Sequence, residues 1–253
     1  MTMPPAALAF VALVAATLSA WGNGPSLEAI VRDITVFDAR SGEWRTHQDI
    51  LIEGTRVQAV RPHATASPDA KYVVEGSGKF AIPGLFEHPP TGAVLTEVGG
   101  SLLARGVTSI WAGGWGRPDA ERWQRGLDRG EHYGPRLVGV GQPAPGRGRG
   151  DANVLATLIR LIEAEGLTSG AALREVTLRE AERAGRAADL GSIDTGKVAD
   201  LLILSGSPAT DIRNVAGIDA VIFRGEVLTR AHLNLLRQGR LKPGDGQLRR
   251  GQR

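Results

Sequence analysis

Histidines and carboxylates are the residues of this sequence best suited to metal chemistry, because it contains five histidines and no cysteine. The chain therefore has no disulfide, thiolate ligand or thiol nucleophile. His88 follows Glu87 directly, and His132 follows Glu131. Neither pair repeats at a spacing that would place several ligands on one face of a strand or helix. His88 is the candidate metal ligand, and an ordinary loop or surface histidine is the favoured interpretation; the other histidines are isolated.

Other catalytic motifs are absent from the sequence. It contains no Gly-x-Ser-x-Gly, no phosphate-binding loop ending in Lys-Ser or Lys-Thr, and no His-Glu-x-x-His. Gly146, Gly148 and Gly150 alternate with arginine ahead of a predicted helix. An anion could bind at that helix start, but a flexible surface loop is the favoured interpretation.

The net charge of +3 comes largely from the last segment, residues 237–253. That segment has little apolar content, so we expect a solvated, flexible basic tail. No aromatic residues are interleaved with its charges to stack on bases. We therefore expect no nucleic-acid partner.

Residues 6–20 are continuously apolar or small. A run of roughly 15 residues is short for a membrane span, which needs about 20. It matches the apolar region of a signal peptide, with cleavage before Asn23, although no Lys or Arg precedes it. We predict that residues 1–22 are a signal peptide and that the protein is exported. An uncleaved anchor and a buried first helix are the alternatives.

Short strands are predicted at both ends of the chain, with an α/β pattern between them. Residues 49–53 and 57–60 form a hairpin signal around the Gly54-Thr55 turn. The middle alternates helix and strand at residues 95–105, 107–111, 118–129 and 136–140. A helix over residues 169–186 follows, with Thr168 as its N-cap. Strands return at residues 200–204, 220–223 and 226–228.

A series of short motifs follows the same order. They are Asp-Ile-Leu-Ile-Glu-Gly at 49–54, Ile-Pro-Gly-Leu at 82–85, Ala-Arg-Gly-Val-Thr-Ser at 104–109, Gly-Pro-Arg-Leu at 134–137, Gly-Leu-Thr at 166–168, Gly-Ser-Ile at 191–193 with Gly-Lys at 196–197, and Asp-Ile-Arg at 211–213. Together they resemble the amidohydrolase superfamily, in its imidazolonepropionase-like branch, over roughly residues 27–236. The glycines and apolar runs of the closing motif are those of turns around a strand, so we expect them to be structural.

The resemblance implies hydrolysis of C–N bonds at one or two divalent metals, typically zinc, which activate water and polarise a carbonyl. The family's first two ligands are the histidines of Asp-x-His-x-His, directly after Pro-Gly-Leu. Here Glu87 occupies the Asp position, while Pro89 and Thr91 occupy the two histidine positions. His88 falls between them, on the opposite face of a strand.

The resemblance also implies a (β/α) barrel, which takes about 250 residues and at least 200. Residues 83–190 provide 108. We therefore predict an α/β fold: a composite β-sandwich domain formed by residues 27–82 and 191–230, with a severely truncated barrel remnant inserted between them.

Two functions remain open. The chain could retain amidohydrolase activity on a small-molecule amide or cyclic amide, or it could be a non-catalytic binding or structural remnant or a truncated gene product. The missing ligands favour the loss of catalysis. Three barrel strands cannot close a barrel, so we also expect an exposed sheet edge and self-association.

Overall fold

The computed structural model describes residues 27–66, 68–89, 94–112, 116–140 and 153–242. Within them the strands are β1 (Leu27–Asp38), β2 (Glu43–Glu53), β3 (Arg56–Pro62), β4 (Ala70–Glu75), β5 (Phe80–Pro83), β6 (Leu85–Glu87), β7 (Val107–Ala112), β8 (Arg136–Val140), β9 (Leu201–Leu204), β10 (Ile218–Phe223) and β11 (Glu226–Thr229). The α-helices are α1 (Leu95–Ala104), α2 (Arg117–Asp128), α3 (Val154–Glu163), α4 (Ser169–Glu175), α5 (Leu178–Arg183) and α6 (Arg230–Arg237), and a 3₁₀ helix covers Ile212–Ala216.

Strands from both ends of the chain form one eight-stranded sheet. Its order is β11-β10-β9-β5-β1-β2-β3, and β4 pairs with β1 beside this path. The two ends of the chain join where β5 pairs antiparallel with β9, from Phe80 opposite Leu204 to Pro83 opposite Leu201. The predicted α/β class is confirmed at this level, as a mixed fold with a large sheet.

The long strand β1 belongs to two sections of this sheet. Its first half pairs in parallel with β4, and Thr35 and Val36 pair in parallel with β5. Between them Asp33 has a φ of 52°, and its N–H donates to the Asp49 carboxylate over 3.0 Å. Side chains alternate between the two faces of each strand, and those on one face of this sheet form one apolar core. The core includes Ala29, Val31, Ile34, Val36, Ile50, Ile52, Val57, Ala81, Leu201, Ile203, Ala220, Ile222 and Val227.

The second sheet is parallel, with the order β6-β7-β8. The helices α1 and α2 lie between its strands in the chain, as the helix–strand rhythm predicts. Gly84 joins β5 to β6 against β7, where an added Cβ would lie 2.1 Å from the Thr108 hydroxyl oxygen. Because Gly84 has no side chain, β6 of the second sheet can follow β5 of the first sheet directly, without a longer connection.

The helix predicted over residues 169–186 is wrong in its continuity, because the structure divides it into α4 and α5. The Val176 carbonyl accepts a hydrogen bond from the Phe86 N–H over 3.0 Å. The Thr177 hydroxyl donates to the Leu173 carbonyl over 2.7 Å. A carbonyl that bonds to β6 is turned away from the helix axis, so α4 ends there.

Helix α6 was not predicted, and it changes where the predicted basic tail begins. Its apolar residues Leu233 and Leu236 are buried against the rest of the core. Leu241 is 9% exposed and packs in the same cluster. Within the segment predicted as a tail from residue 237, Leu241 therefore packs on the core, whereas residues 237–240 are exposed.

Several predictions lie outside the described residues. They are the signal peptide at 1–22, Thr91, the glycine- and arginine-rich segment at 141–151, and residues 243–253. Across the part of the chain that the structure describes, none of the helices has the length and apolar character needed to cross a bilayer.

Candidate functional site

A small cavity lies where the parallel strand β6 ends, which is the edge at which parallel barrels carry their chemistry. Its volume is about 40 Å³. The lining includes Phe86, Glu87, His88, Val154, Glu175 and Glu180. The polar side chains come from the end of β6 and from α4 and α5, so both halves of the inserted segment contribute to this site.

His88 is packed between an aromatic ring and a carboxylate. Its ring stacks on the Trp111 ring at 6.0 Å between centroids and 9° between planes. Its Nε2 lies 3.4 Å from Glu180 Oε2, and its side chain is 17% exposed. Among the residues that the structure describes, the buried Nδ1 has no hydrogen-bond partner. His88 lies in the loop directly after β6, where a carboxylate and an indole ring hold it.

Glu180 is the most heavily bonded side chain of the site. Its Oε2 also accepts from Trp111 Nε1 over 3.0 Å, and its Oε1 accepts from Arg183 over 2.7 Å. Burial is the largest influence on the pKa of Glu180 and raises it, but the hydrogen bonds and charges of His88 and Arg183 outweigh burial. The net pKa lies below the usual range, so Glu180 is ionised at neutral pH.

Glu87 has a structural role at the end of β6. Its Oε2 accepts from the Val154 N–H over 3.1 Å, at the start of α3. That N–H has no partner within the helix, so the carboxylate satisfies it and faces the positive end of the helix dipole. Arg105 lies 3.6 Å from the other oxygen. Burial, the largest influence, raises the pKa of Glu87 despite these two partners.

No family model and no curated protein sequence matches this chain. Solved structures do. A protein of Bifidobacterium longum assigned as a prolidase has a TM-score of 0.68 at 16% identity, covering 84% of this chain and 98% of that chain. Phenylurea hydrolase B has a TM-score of 0.66 at 13% identity, covering 81% and 98%. The ochratoxinase of A. niger has a TM-score of 0.66 at 10% identity, covering 81% and 96%.

The chain has the amidohydrolase-superfamily fold. The resemblance read from the sequence motifs is confirmed at this level. Sequence identities of 10% to 16% show a shared fold but not a shared function, so the site has to be judged on its own residues.

The described residues near the strand ends of this fold do not suit a divalent metal. Across residues 27–66, 68–89, 94–112, 116–140 and 153–242, no three His, Cys, Asp or Glu side chains are placed to hold an ion. Glu180 is already bonded to an arginine and an indole N–H. Glu87 is bonded to a helix start and lies near Arg105. A zinc ion that activates water in a catalytic site has three converging protein ligands, and His88 offers one.

The remaining histidines occupy separate places. His132 stacks on Trp123 at 4.1 Å between ring centroids, and burial lowers its pKa. His232 Nδ1 accepts from the Thr229 N–H over 3.2 Å, which completes a capping box at the start of α6. Both therefore have structural roles.

His47 and His63 are a pair that the sequence interpretation missed, because it treated both as isolated. Each ring nitrogen Nδ1 lies 2.7 Å from a carboxylate oxygen, that of Asp33 for His47 and that of Asp49 for His63. The predicted hairpin could have revealed this pair. Strands β2 and β3 pair Gln48 with Pro62, so the next residues, His47 and His63, lie opposite each other.

Proposed function

We propose that this chain is an amidohydrolase-fold protein that does not catalyse metal-dependent amide hydrolysis. The observation that carries the proposal is the closed network of His88, Trp111, Glu180 and Arg183 at the end of the parallel strands. In this network the carboxylate is neutralised by an arginine, and the imidazole stacks on an indole. Neither group is left to hold a metal-bound water.

The size of the cavity supports the same proposal. A volume of about 40 Å³ accommodates about three water molecules. Pockets for small organic ligands are about 300–1,000 Å³. An amide substrate would not fit without displacing the His88–Glu180 pair.

The proposal includes an arrangement of the chain. Residues 27–82 and 191–230 form a composite β-domain, and residues 83–190 form a shortened barrel, of which the described residues include the parallel strands β6, β7 and β8. The pairing of β5 with β9 supports the first part. The parallel order β6-β7-β8 supports the second. The segments that the chain retains are therefore those that packing and turns hold in place.

Purified full-length protein is expected to hydrolyse neither an aryl amide nor a dipeptide above the buffer rate, with or without added zinc. The physical reason is that Glu180 and His88 are engaged with each other. The measurement is product formation at several protein concentrations, before and after dialysis against chelator. Turnover that needs zinc and is lost in both His88→Ala and Glu180→Gln, but not in the surface control Arg122→Ala, would contradict the proposal.

We also propose export and self-association. Export rests on residues 1–22 of the sequence. Self-association rests on the apolar start of α1, where Val94 is 51% and Val98 is 37% exposed. The two lie one helical turn apart, so they share one face.

Gel filtration at two protein concentrations is expected to give a species larger than the monomer, because burying this face removes apolar surface from water. Val98→Lys is expected to shift the protein to the monomer. Val73→Lys, on β4 and 53% exposed, is the matched control and should leave the elution volume unchanged. A monomeric wild-type protein at both concentrations would rule out self-association.

A further inference from the structure

Two histidines lie side by side at the open end of the β2–β3 ladder. The His63 N–H donates to the His47 carbonyl over 2.7 Å, one position beyond the pairing of Gln48 with Pro62. The two side chains are also linked through their carboxylates, because Asp49 Oδ1, which contacts His63, accepts from the N–H of Asp33, whose own carboxylate contacts His47. Strand β3 is at the edge of the sheet, and both histidine side chains are partly exposed to solvent.

Each imidazole is oriented by its own carboxylate. Asp33 Oδ1 lies 2.7 Å from His47 Nδ1, and Asp49 Oδ1 lies 2.7 Å from His63 Nδ1. An ionised carboxylate accepts a hydrogen bond, so Nδ1 carries the proton in the neutral ring and Nε2 carries the lone pair. Carboxylates bonded in this way to Nδ1 orient many metal-binding histidines.

The pKa values of both carboxyl groups support this protonation pattern. The hydrogen bond with His47 is the largest influence on the pKa of Asp33 and lowers it. For Asp49 burial is the largest influence and raises the pKa, but the hydrogen bonds from His63 and two backbone N–H groups bring it below its usual range. Both groups are therefore ionised at neutral pH.

The backbone fixes the two carboxylates in place. Asp49 has a fully buried side chain that also accepts from the N–H groups of Asp33 and Ala64 over 3.0 and 3.3 Å. Asp33 and His47 both have a positive φ, at 52° and 53°, which costs energy for residues other than glycine. The histidine side chains remain accessible, His47 at 80% and His63 at 29% exposure.

We propose that His47 and His63 bind one divalent transition-metal ion, such as zinc, nickel or copper, through their Nε2 atoms. Imidazole is a favourable ligand for these ions. Since no group of three His, Cys, Asp or Glu side chains within the described residues is placed to hold an ion, water completes the coordination shell. The site is an exchangeable surface site on the large sheet. It is separate from the strand ends where the superfamily places its chemistry.

Titration of the metal-free full chain with zinc chloride, followed by calorimetry, tests this proposal. We expect one ion per chain. The double variant His47→Asn/His63→Gln should lose the binding; asparagine is chosen at residue 47 because it tolerates a positive φ. Asp33→Asn should weaken binding by roughly 10- to 100-fold, as loss of an orienting carboxylate does elsewhere. His232→Ala, at the helix cap, is the matched control and should bind zinc as the wild type does.

Single variants keep the test interpretable if the double variant folds poorly. His47→Asn alters a side chain that is 80% exposed, and circular dichroism will show whether the fold is intact. Absence of zinc binding in the wild type, or unchanged binding in His47→Asn and the double variant, would overturn the proposal. Binding that is lost in His88→Ala but kept in the double variant would overturn it as well, and would also count against the proposed loss of the strand-end metal site.

Discussion

Replacing Arg136 with methionine is expected to lower the free energy of unfolding by about 3–5 kcal/mol, the usual cost of removing one partner of a buried ion pair. Arg136, at the start of β8, donates to a carboxylate oxygen of Asp200, directly ahead of β9. The two side chains are only 13% and 5% exposed. The other oxygen of Asp200 accepts from the Arg224 N–H over 2.8 Å. Without Arg136, the aspartate loses the largest of the influences that offset its burial, and the smaller influence of Arg224 remains.

The effect of Arg136→Met should depend on pH. Burial raises the pKa of Asp200, and Arg136 partly offsets that rise. Removing the arginine raises the pKa in the folded protein further above the unfolded value. A group with a raised pKa stabilises the fold below the unfolded pKa, and this contribution is lost as the pH rises through the folded pKa. The variant should therefore be closest to the wild type at low pH and furthest from it at pH 8.

Urea unfolding at pH 5 and pH 8 measures both expectations. Arg122→Met is the matched control, because Arg122 and Asp119 form an exposed pair whose side chains are 78% and 65% exposed. Its loss should cost less than about 1 kcal/mol. The double variant Arg136→Met/Asp200→Leu should recover part of the loss, since neither charge then remains buried. Equal losses for Arg136→Met and Arg122→Met would show that the pair does not hold the two sheets together.

Replacing Gly225 with alanine is expected to have the second large effect. Gly225 lies in the turn between β10 and β11 with a φ of 83°, and an added Cβ would lie 2.0 Å from the Gly54 carbonyl oxygen. Gly54 is in the turn between β2 and β3, with a φ of 53° and open space around its Cβ position. The two hairpin tips thus touch, although one comes from each end of the chain.

Alanine substitutions at these two glycines distinguish the cost of backbone strain from the cost of a steric clash with the neighbouring backbone. Gly54→Ala should cost about 1–2 kcal/mol, because an alanine resists the left-handed conformation. Gly225→Ala should cost a further 1–3 kcal/mol or so, since the neighbouring backbone must also move. Denaturant unfolding of both variants measures the difference. Equal losses would mean that the two hairpin tips do not touch in solution.

The features of the fold that depend on nearby residues could be predicted from the sequence. The hairpin around Gly54-Thr55 and the strand at residues 136–140 follow from turn residues and apolar runs. The break between α4 and α5 could not, because it comes from a hydrogen bond between Val176 and Phe86, far apart in the chain. Periodicity within a helix says nothing about a carbonyl that bonds to a distant strand.

Of the two candidate sites, one could likewise be predicted from the sequence and the other could not. The pairing of His47 with His63 follows from the hairpin register and was open to prediction. The pairing of His88 with Glu180 joins the end of β6 to α5 and needs the tertiary fold. Sequence comparison with the family motif identified what stands at the histidine positions, but not that Glu180 would hold the neighbouring imidazole.

The contact between β5 and β9 has a consequence for how the chain folds during synthesis. Strand β5 has β1 on one side, and its other side stays open until β9 has left the ribosome. Closing such a long loop costs entropy before any contact repays it, and folds rich in distant pairings form slowly. In the meantime an unpaired strand edge is available to chaperones and to other nascent chains. The yield of folded protein should therefore depend on how quickly the last strands follow the first.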